Sequence, residues 1–193
     1  MPKHIFLIAG EASGDFLGAQ LMRVLKNKQP EISFSGIGGQ LMEAQGLKSL
    51  FPMKELSLMG IFEILPHIPH LLKRVKQTVQ EIKKQQPDIV LTIDAPDFSF
   101  RVQRCVRKNM SSPPKLVHYV APTVWAWRPG RAKKIAKFLD DLICLFHFEP
   151  PYFKRESLKS VSVGHPMIES GLLEAKPLWE GKKTLGVFFG SRK

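Results

Sequence analysis

Residues 5–21 read IFLIAGEASGDFLGAQL, an apolar run that passes through a short turn into a helical pattern. Ile5–Ala9 is continuously apolar, which is typical of a strand buried on both faces of a parallel sheet. Gly10 and Gly14 allow a tight turn after this strand, and Ser13 is expected to cap the following helix. Ligands bind at this end of the strands in open α/β sheets, so the turn is a candidate binding site. A capped turn without a ligand explains the same residues equally well.

Further apolar segments alternate with helical patterns along the chain. They predict strands at 32–37, 88–93, 116–120, 142–145 and 161–163. Alternation of this kind implies right-handed βαβ units, and so an α/β fold with a Rossmann-like, doubly wound parallel sheet. Between the second and third strands, Pro66 and Pro69 are expected to break or kink a helix.

The composition is that of a globular, strongly basic chain. It has 193 residues and a formal net charge of +12. A charge of this size is compatible with binding to nucleic acid, to phosphorylated ligands or to an anionic membrane face, and it does not distinguish among them. Cys105 and Cys144 lie in apolar segments, which indicates a reduced, cytosolic interior. No apolar run approaches the roughly 18 residues of a spanning helix, and no His/Cys spacing predicts a metal site.

Two carboxylates follow the predicted strand at 88–93. A general base must reach the proton that it removes, and the end of a rigid strand gives such a placement. Asp97 is readily explained as the cap of the next helix. Asp94 has no such structural explanation, so it is the stronger candidate for a catalytic base.

Aromatic and basic side chains follow the next strand. Trp127 could stack on a base or a sugar, and Arg128 with Arg131 could hold a phosphate bidentately. Core packing is the alternative for the tryptophan. His165 follows the last strand of the sheet, and a lone histidine is more often structural than catalytic.

Six short motifs occur in one order that resembles the lipid-A-disaccharide synthase family. They are GEASGD at 10–15, MGIFEIL at 59–65, IDAPDF at 93–98, HYVAPTVWAWR at 118–128, VGHP at 163–166 and GSR at 190–192. None is specific alone, but together they are highly specific. The chain is similar to the N-terminal half of that family.

The resemblance implies an inverting glycosyltransferase of the two-domain GT-B type. Such an enzyme transfers 2,3-diacylglucosamine from UDP-2,3-diacylglucosamine to the 6-hydroxyl of 2,3-diacylglucosamine 1-phosphate. The products are UDP and the β-1,6-linked lipid A disaccharide 1-phosphate, a step of lipopolysaccharide biosynthesis. The N-terminal half holds the acceptor, most of the nucleotide site lies in the C-terminal half, and neither a cofactor nor a metal is implied.

The resemblance also implies roles for individual residues. Asp94 would deprotonate the acceptor hydroxyl. Glu11, Ser13 and Asp15 would line the cleft, and Arg192 would lie on the loop that faces the donor. The remaining residues expected to bind substrate are Gly10, Gly14, Asp97, Trp127, Arg128, Arg131 and His165.

The segment 58–72 is too apolar for one face of a soluble helix. The side chains expected to form its acyl patch are those of Phe62, Ile64, Leu65, Ile68, Leu71 and Leu72. Lys73, Arg74 and Lys76 adjoin it and favour an anionic leaflet. Because both substrates of the resembled reaction are lipids, we expect this segment to receive acyl chains. The protein would then be cytoplasmic and peripheral on the cytoplasmic face of the inner membrane of a Gram-negative type bacterium. Packing in the core or on a second domain is the alternative.

The end of the chain suggests a second domain. We expect a Rossmann-like acceptor domain over 1–173, a polar linker over 174–183 and the first strand of a C-terminal donor-binding domain over 184–193. A strand without a following helix cannot bury itself, so we expect a truncated or split form with little activity alone. Its protein partner would be a separately encoded C-terminal half or a second copy of the chain.

Two other functions remain open from the residues. One is a non-catalytic basic α/β module that binds anionic lipid or phosphorylated ligands. The other is nucleic-acid binding, which is weakest, because the basic residues are spread over several helices without a recognised reader motif. We therefore expect no nucleic-acid partner.

Overall fold

A six-stranded sheet forms the centre of the protein, as described by a computed structural model for residues 3–57, 64–126, 128, 130–166 and 168. The strands are β1 (His4–Ala9), β2 (Ser33–Ile37), β3 (Ile89–Ile93), β4 (Lys115–Tyr119), β5 (Asp141–Cys144) and β6 (Lys159–Ser162). All neighbours are parallel, in the order β2-β1-β3-β4-β5-β6. The prediction of an α/β fold with a Rossmann-like parallel sheet is confirmed.

Helices connect the strands and cover both faces of the sheet. In the described residues they are α1 (Ala12–Lys28), α2 (Gln40–Ala44), α3 (Lys54–Ser57), α4 (Ile64–Gln85), α5 (Pro96–Asn109), α6 (Gly130–Ala136) and α7 (Pro150–Lys154). One buried cluster joins Ile5 and Leu7 of β1 to α1 and α2. The other joins Phe6 and Ile8 to α4, α5, α6 and α7. Because successive side chains of a strand point to opposite faces, both faces of β1 are buried, which accounts for its unbroken apolar sequence.

The strand order reverses between β1 and β3. From β1 the chain crosses to β2 on one side of the sheet, and all later strands are added on the other side. The carboxyl ends of β1 and β3 therefore flank the topological switch point, which is where open α/β sheets bind their ligands.

Two predicted helix caps are wrong. The carbonyl of Glu11 accepts the first helical hydrogen bond of α1, from the N–H of Asp15 at 2.9 Å, so Glu11 is the N-cap and Ser13 lies inside the helix. Likewise, Ala95 is the N-cap of α5, because its carbonyl accepts from the N–H of Ser99 at 3.1 Å. Asp97 thus lies in the first turn. Both helices begin before the polar residues that were predicted to cap them, because the turns between strand and helix are shorter than expected.

The helix α4 continues through the prolines that were expected to break or kink it. Pro69 lies inside it, and the helix runs on to Gln85. Leu71, Val75 and Val79 are buried at helical spacing, and this packing outweighs the single hydrogen bond that Pro69 removes. Among the described residues, none of the helices is long and apolar enough to cross a membrane. The expected linker at 174–183 and strand at 184–193 lie outside the described residues.

Candidate functional site

The turn between β3 and α5 holds two consecutive residues in the left-handed backbone region. Asp94 has a φ of 52° and Ala95 a φ of 43°, and each such conformation costs about 1–3 kcal/mol. Hydrogen bonds hold the turn in place. The N–H of Asp94 donates to the carbonyl oxygen of Tyr119 at 3.0 Å, and the hydroxyl of Ser99 donates to the carbonyl oxygen of Asp94 at 2.9 Å. Strained backbone of this kind concentrates at functional sites.

This turn places the Asp94 side chain half-buried at the switch point. Between described residues, no hydrogen bond or ion pair joins its carboxylate to another group. A carboxylate on a rigid turn, without a protein partner in the described part of the chain, suits a general base.

The turn after β1 meets the turn after β3 at close range. A Cβ built on Gly10 would lie 2.6 Å from the Cβ of Ala95, and one built on Gly14 would lie 3.2 Å from the carbonyl oxygen of Ile93. Such distances leave no room for a larger side chain at Gly10. The two predicted glycines therefore bring β1 and α1 against the end of β3.

A crevice opens beside these turns. It has a volume of about 270 Å³ and is lined by Glu11, Leu56, Leu71, Ala95, Pro96, Asp97, Phe98 and Arg101. Leu71 is 6% exposed and forms part of the core, so the prediction that it belongs to an exposed acyl patch is wrong. The reason is that α4 continues through Pro69 and turns this residue toward α5. The crevice combines apolar walls with charged groups at its rim.

Asp15 has a structural position that the sequence did not reveal. It is buried, and its carboxylate oxygens accept hydrogen bonds from the N–H groups of Gly39 at 2.8 Å, Leu41 at 3.0 Å and Met42 at 3.0 Å. It therefore caps α2 rather than lining the cleft as expected. Ser13, by contrast, is exposed on the first turn of α1.

A second depression, which we name the arginine groove, lies between α5 and α6. Its volume is about 450 Å³. The cations that line it are Arg101, Arg104, Arg128, Arg131 and Lys134. Among the described residues that line it, Asp97 is the sole carboxylate, and its Oδ1 lies 4.0 Å from a guanidinium nitrogen of Arg131. Arg128 and Arg131 were predicted to contact phosphate, whereas Arg101, Arg104 and Lys134 were missed. Arg101 and Arg104 are three residues apart on α5, and Lys134 is three residues after Arg131 on α6, so this spacing was a usable signal.

An exposed aromatic cluster lies beyond the ends of β4, β5 and β6. Phe148 packs edge-on against Trp125, with centroids 5.2 Å apart, and stacks on Phe146 at 5.6 Å. Phe146 in turn stacks on His165 at 5.9 Å. Since His165 packs in this cluster, the structure places it away from the turn of Asp94 along the same edge. The phenylalanines were missed, although they directly follow a buried strand.

His118 of β4 is fully buried. Its Nδ1 lies 2.6 Å from the hydroxyl oxygen of Thr92. Burial, followed by the charge of Arg131, lowers the pKa of His118 to about 3. The ring is therefore neutral at physiological pH and is a core residue, not an acid or base of the site.

Several predicted site residues cannot be placed. Phe62, Trp127 and Arg192 lie outside the described residues, as do the side chains of Ile64 and Leu65. Ile68 and Leu72 are exposed, by 38% and 49%. Among the described residues, no group of three or more His, Cys, Asp or Glu side chains could hold a metal ion.

The fold and the site define an α/β protein with a carboxylate and a basic groove beside a switch-point crevice. The chain belongs to the lipid-A-disaccharide synthetase family, whose sequence model matches residues 5–193. This confirms the resemblance found in its motifs.

Named relatives agree with this assignment. A lipid-A-disaccharide synthase of Rhodospirillum centenum is 55% identical over 171 residues, covering 88% of this chain and 42% of the relative. A second, from Ruegeria pomeroyi, is 50% identical, and the match covers 86% of this chain and 41% of the relative. A third, from Rickettsia bellii, is 44% identical, and the match covers 99% of this chain and 52% of the relative. The chain thus spans about two-fifths to half of the length of these relatives.

Proposed function

We propose that this chain is the acceptor-binding part of a lipid-A-disaccharide synthase. The whole enzyme is an inverting glycosyltransferase that joins 2,3-diacylglucosamine, from its UDP donor, to 2,3-diacylglucosamine 1-phosphate. The observation that carries the proposal is the strained turn that holds the half-buried Asp94 at the switch point. Membership of the family and the names of the relatives support the reaction.

Asp94 acts as the general base in this mechanism. Its carboxylate takes the proton of the acceptor 6-hydroxyl while that oxygen attacks the anomeric carbon of the donor sugar. The bond from the anomeric carbon to UDP breaks on the opposite face, so the configuration inverts and UDP leaves with the bonding electron pair. Proton removal in the transition state is what makes a sugar hydroxyl an adequate nucleophile.

The protein works at the cytoplasmic face of the inner membrane, where it meets both lipid substrates. The exposed side chains of Ile68 and Leu72, next to exposed Lys73 and Lys76, support this location. Apolar insertion and attraction to anionic lipids together give peripheral attachment. The donor is bound by a C-terminal domain, with 174–183 as the linker and 184–193 as the first strand of that domain.

A second candidate function is a non-catalytic module that binds phosphorylated ligands. The arginine groove favours it, since five cations around one depression can hold an anion without any turnover.

The test joins this chain to the remaining C-terminal portion of the Rhodospirillum centenum relative, which gives a complete enzyme. Disaccharide formation is measured with Asp94 intact and with Asp94→Asn. We expect turnover to fall by about 10²–10⁴-fold, the usual contribution of a positioned base. Equal urea midpoints of the two proteins are the control for folding. Unchanged turnover in Asp94→Asn would remove this residue from the mechanism, and binding without any turnover in the intact protein would favour the second candidate.

A further inference from the structure

The arginine groove presents cations from two helices toward one space. Arg101 and Arg104 lie three residues apart on α5, and Arg131 and Lys134 lie three residues apart on α6. Residues at this spacing share one face of a helix. The two faces therefore oppose each other across the groove, with Arg128 at the chain entry to α6.

Buried aromatic rings hold two of the guanidinium groups in position. The guanidinium carbon of Arg131 lies 5.5 Å from the ring centroid of Phe100, and that of Arg104 lies 5.1 Å from the centroid of Phe138. The two rings contact each other edge-on at 5.7 Å and are themselves buried. A guanidinium fixed on a ring loses less freedom when it binds an anion, so the groove is organised before any ligand arrives.

Among the described side chains that line the groove, cations outnumber carboxylates. Leaving Arg128 aside, four described cations (Arg101, Arg104, Arg131 and Lys134) stand against one described carboxylate, Asp97, whose side chain is 93% exposed. Cations brought together in this way repel one another, and a multiply charged anion between them offsets that repulsion. Arginine forks match the oxygens of a phosphate in geometry as well as in charge.

The groove lies next to the proposed acceptor crevice. Pro96, Asp97 and Arg101 line both depressions, and Asp94 comes two residues before Pro96. A ligand in the crevice therefore has the groove beside it, across this shared wall.

From these contacts we propose that the arginine groove binds the phosphate monoester of the acceptor sugar, an inference that rests on the proposed function. Arg104 and Lys134 then act as specificity-determining residues. They distinguish a phosphorylated acceptor from the same sugar without phosphate.

The test measures binding of glucosamine 1-phosphate to the 193-residue chain by phosphorus NMR titration. The variant Arg104→Gln/Lys134→Gln removes two groove cations. The matched control, Lys133→Gln/Lys137→Gln, removes two exposed cations nearby that do not line the groove. We expect the groove variant to weaken binding by about tenfold or more, and the control by less than about twofold, because charge-assisted hydrogen bonds are lost only in the first. Equal weakening in both variants would overturn the proposal.

Two further ligands identify the source of the phosphate. N-acetylglucosamine, which has no phosphate, should bind the intact chain and the groove variant with equal affinity. For vesicles containing phosphatidylglycerol, the groove variant and the control variant should show the same loss of affinity. If only vesicle binding responds to the groove variant, the groove serves membrane phospholipid and the proposal is overturned.

The completed enzyme separates this inference from the proposed function. If it forms disaccharide, the groove variant should raise the KM for the acceptor about tenfold and leave that for the UDP donor unchanged. Disaccharide formation with an unaltered acceptor KM overturns the groove assignment and leaves the function standing. Absence of disaccharide, together with groove-dependent binding of glucosamine 1-phosphate, overturns the function and supports the groove as a phosphate site.

Discussion

The carboxylate of Asp15 and the backbone of Gly39 are in direct contact. The N–H of Gly39 donates to Oδ1 of Asp15 at 2.8 Å, and a Cβ built on Gly39 would lie 2.5 Å from Oδ2. The start of α1, next to the switch point, is thereby tied to the start of α2, which follows a different strand. The position of the first turn of α1 depends on this contact.

Replacement of Asp15 should therefore destabilise the fold. Asp15→Ala leaves three backbone N–H groups, two partly buried and one buried, without their acceptor. Because hydrogen bonds to charged groups contribute about 1.5–3 kcal/mol each and are not additive, we expect a loss of about 3 kcal/mol in the free energy of unfolding. Urea denaturation measures it. Glu31→Ala, at an exposed carboxylate, is the control and should change stability by less than about 0.5 kcal/mol. A similar small change in Asp15→Ala would contradict the capping role.

The contact between Gly10 and Ala95 gives a second prediction. Gly10→Ala places two Cβ atoms 2.6 Å apart and should cost about 1–3 kcal/mol of stability through overpacking. Adding Ala95→Gly removes the opposing Cβ and relaxes a backbone at φ 43°, so the double variant should recover most of this loss. A double-mutant cycle by urea denaturation measures the coupling. Gly130→Ala, with nothing within 4 Å of the added carbon, should show no such penalty. Additive effects of the first two changes would refute the contact.

The buried His118 makes stability depend on pH. Its pKa is about 3 in the folded protein, against 6.5 as a model value, so the unfolded chain binds more protons between these two pH values. Stability contributed by the neutral ring is complete above pH 6.5 and falls as the pH drops toward 3. Each pH unit in this window costs about 1.4 kcal/mol for one proton, so unfolding at pH 5 should be easier by about 2 kcal/mol than at pH 7.

The variant His118→Phe/Thr92→Val tests this origin. It removes the titrating ring together with the hydroxyl that contacts it. The difference in unfolding free energy between pH 7 and pH 5 should then shrink by about 2 kcal/mol, whatever the absolute stability of the variant. If the pH dependence of the unfolding free energy is the same in this variant, it arises from groups other than His118.

The exposed apolar residues of α4 give a prediction for membrane attachment. Ile68→Ser/Leu72→Ser should weaken co-sedimentation with anionic vesicles, because apolar insertion contributes about 25 cal/mol per Å² buried. Val24→Ser, at a residue 46% exposed on α1, is the control and should bind as the unaltered chain does. Leu71→Ser, at a core position, should instead lower stability by about 2–4 kcal/mol. Equal vesicle binding by the double variant and the control would place the membrane surface elsewhere.

The sequence was sufficient for the sheet because the signal there is local. The apolar run of β1 reports burial on both faces, and Asp94 could be selected because it directly follows such a strand. Local patterns could not predict the role of Asp15, because its partner Gly39 is distant in the sequence and belongs to another element. Leu71 was misplaced for a related reason: packing along α4 outweighs a proline whose local preference is to end the helix.

The turns of the site are completed by the strands that follow them. The N–H of Asp94 bonds to the carbonyl of Tyr119, at the end of β4, and the N–H of Val120, with a φ of 77°, bonds to the carbonyl of Ile143 in β5. During synthesis on the ribosome, the turn carrying Asp94 therefore lacks this hydrogen bond until β4 has emerged, and the turn after β4 lacks its own until β5 has emerged. The hydrogen bonds that fix these turns are thus completed in chain order, the one at the proposed catalytic carboxylate before the one at Val120.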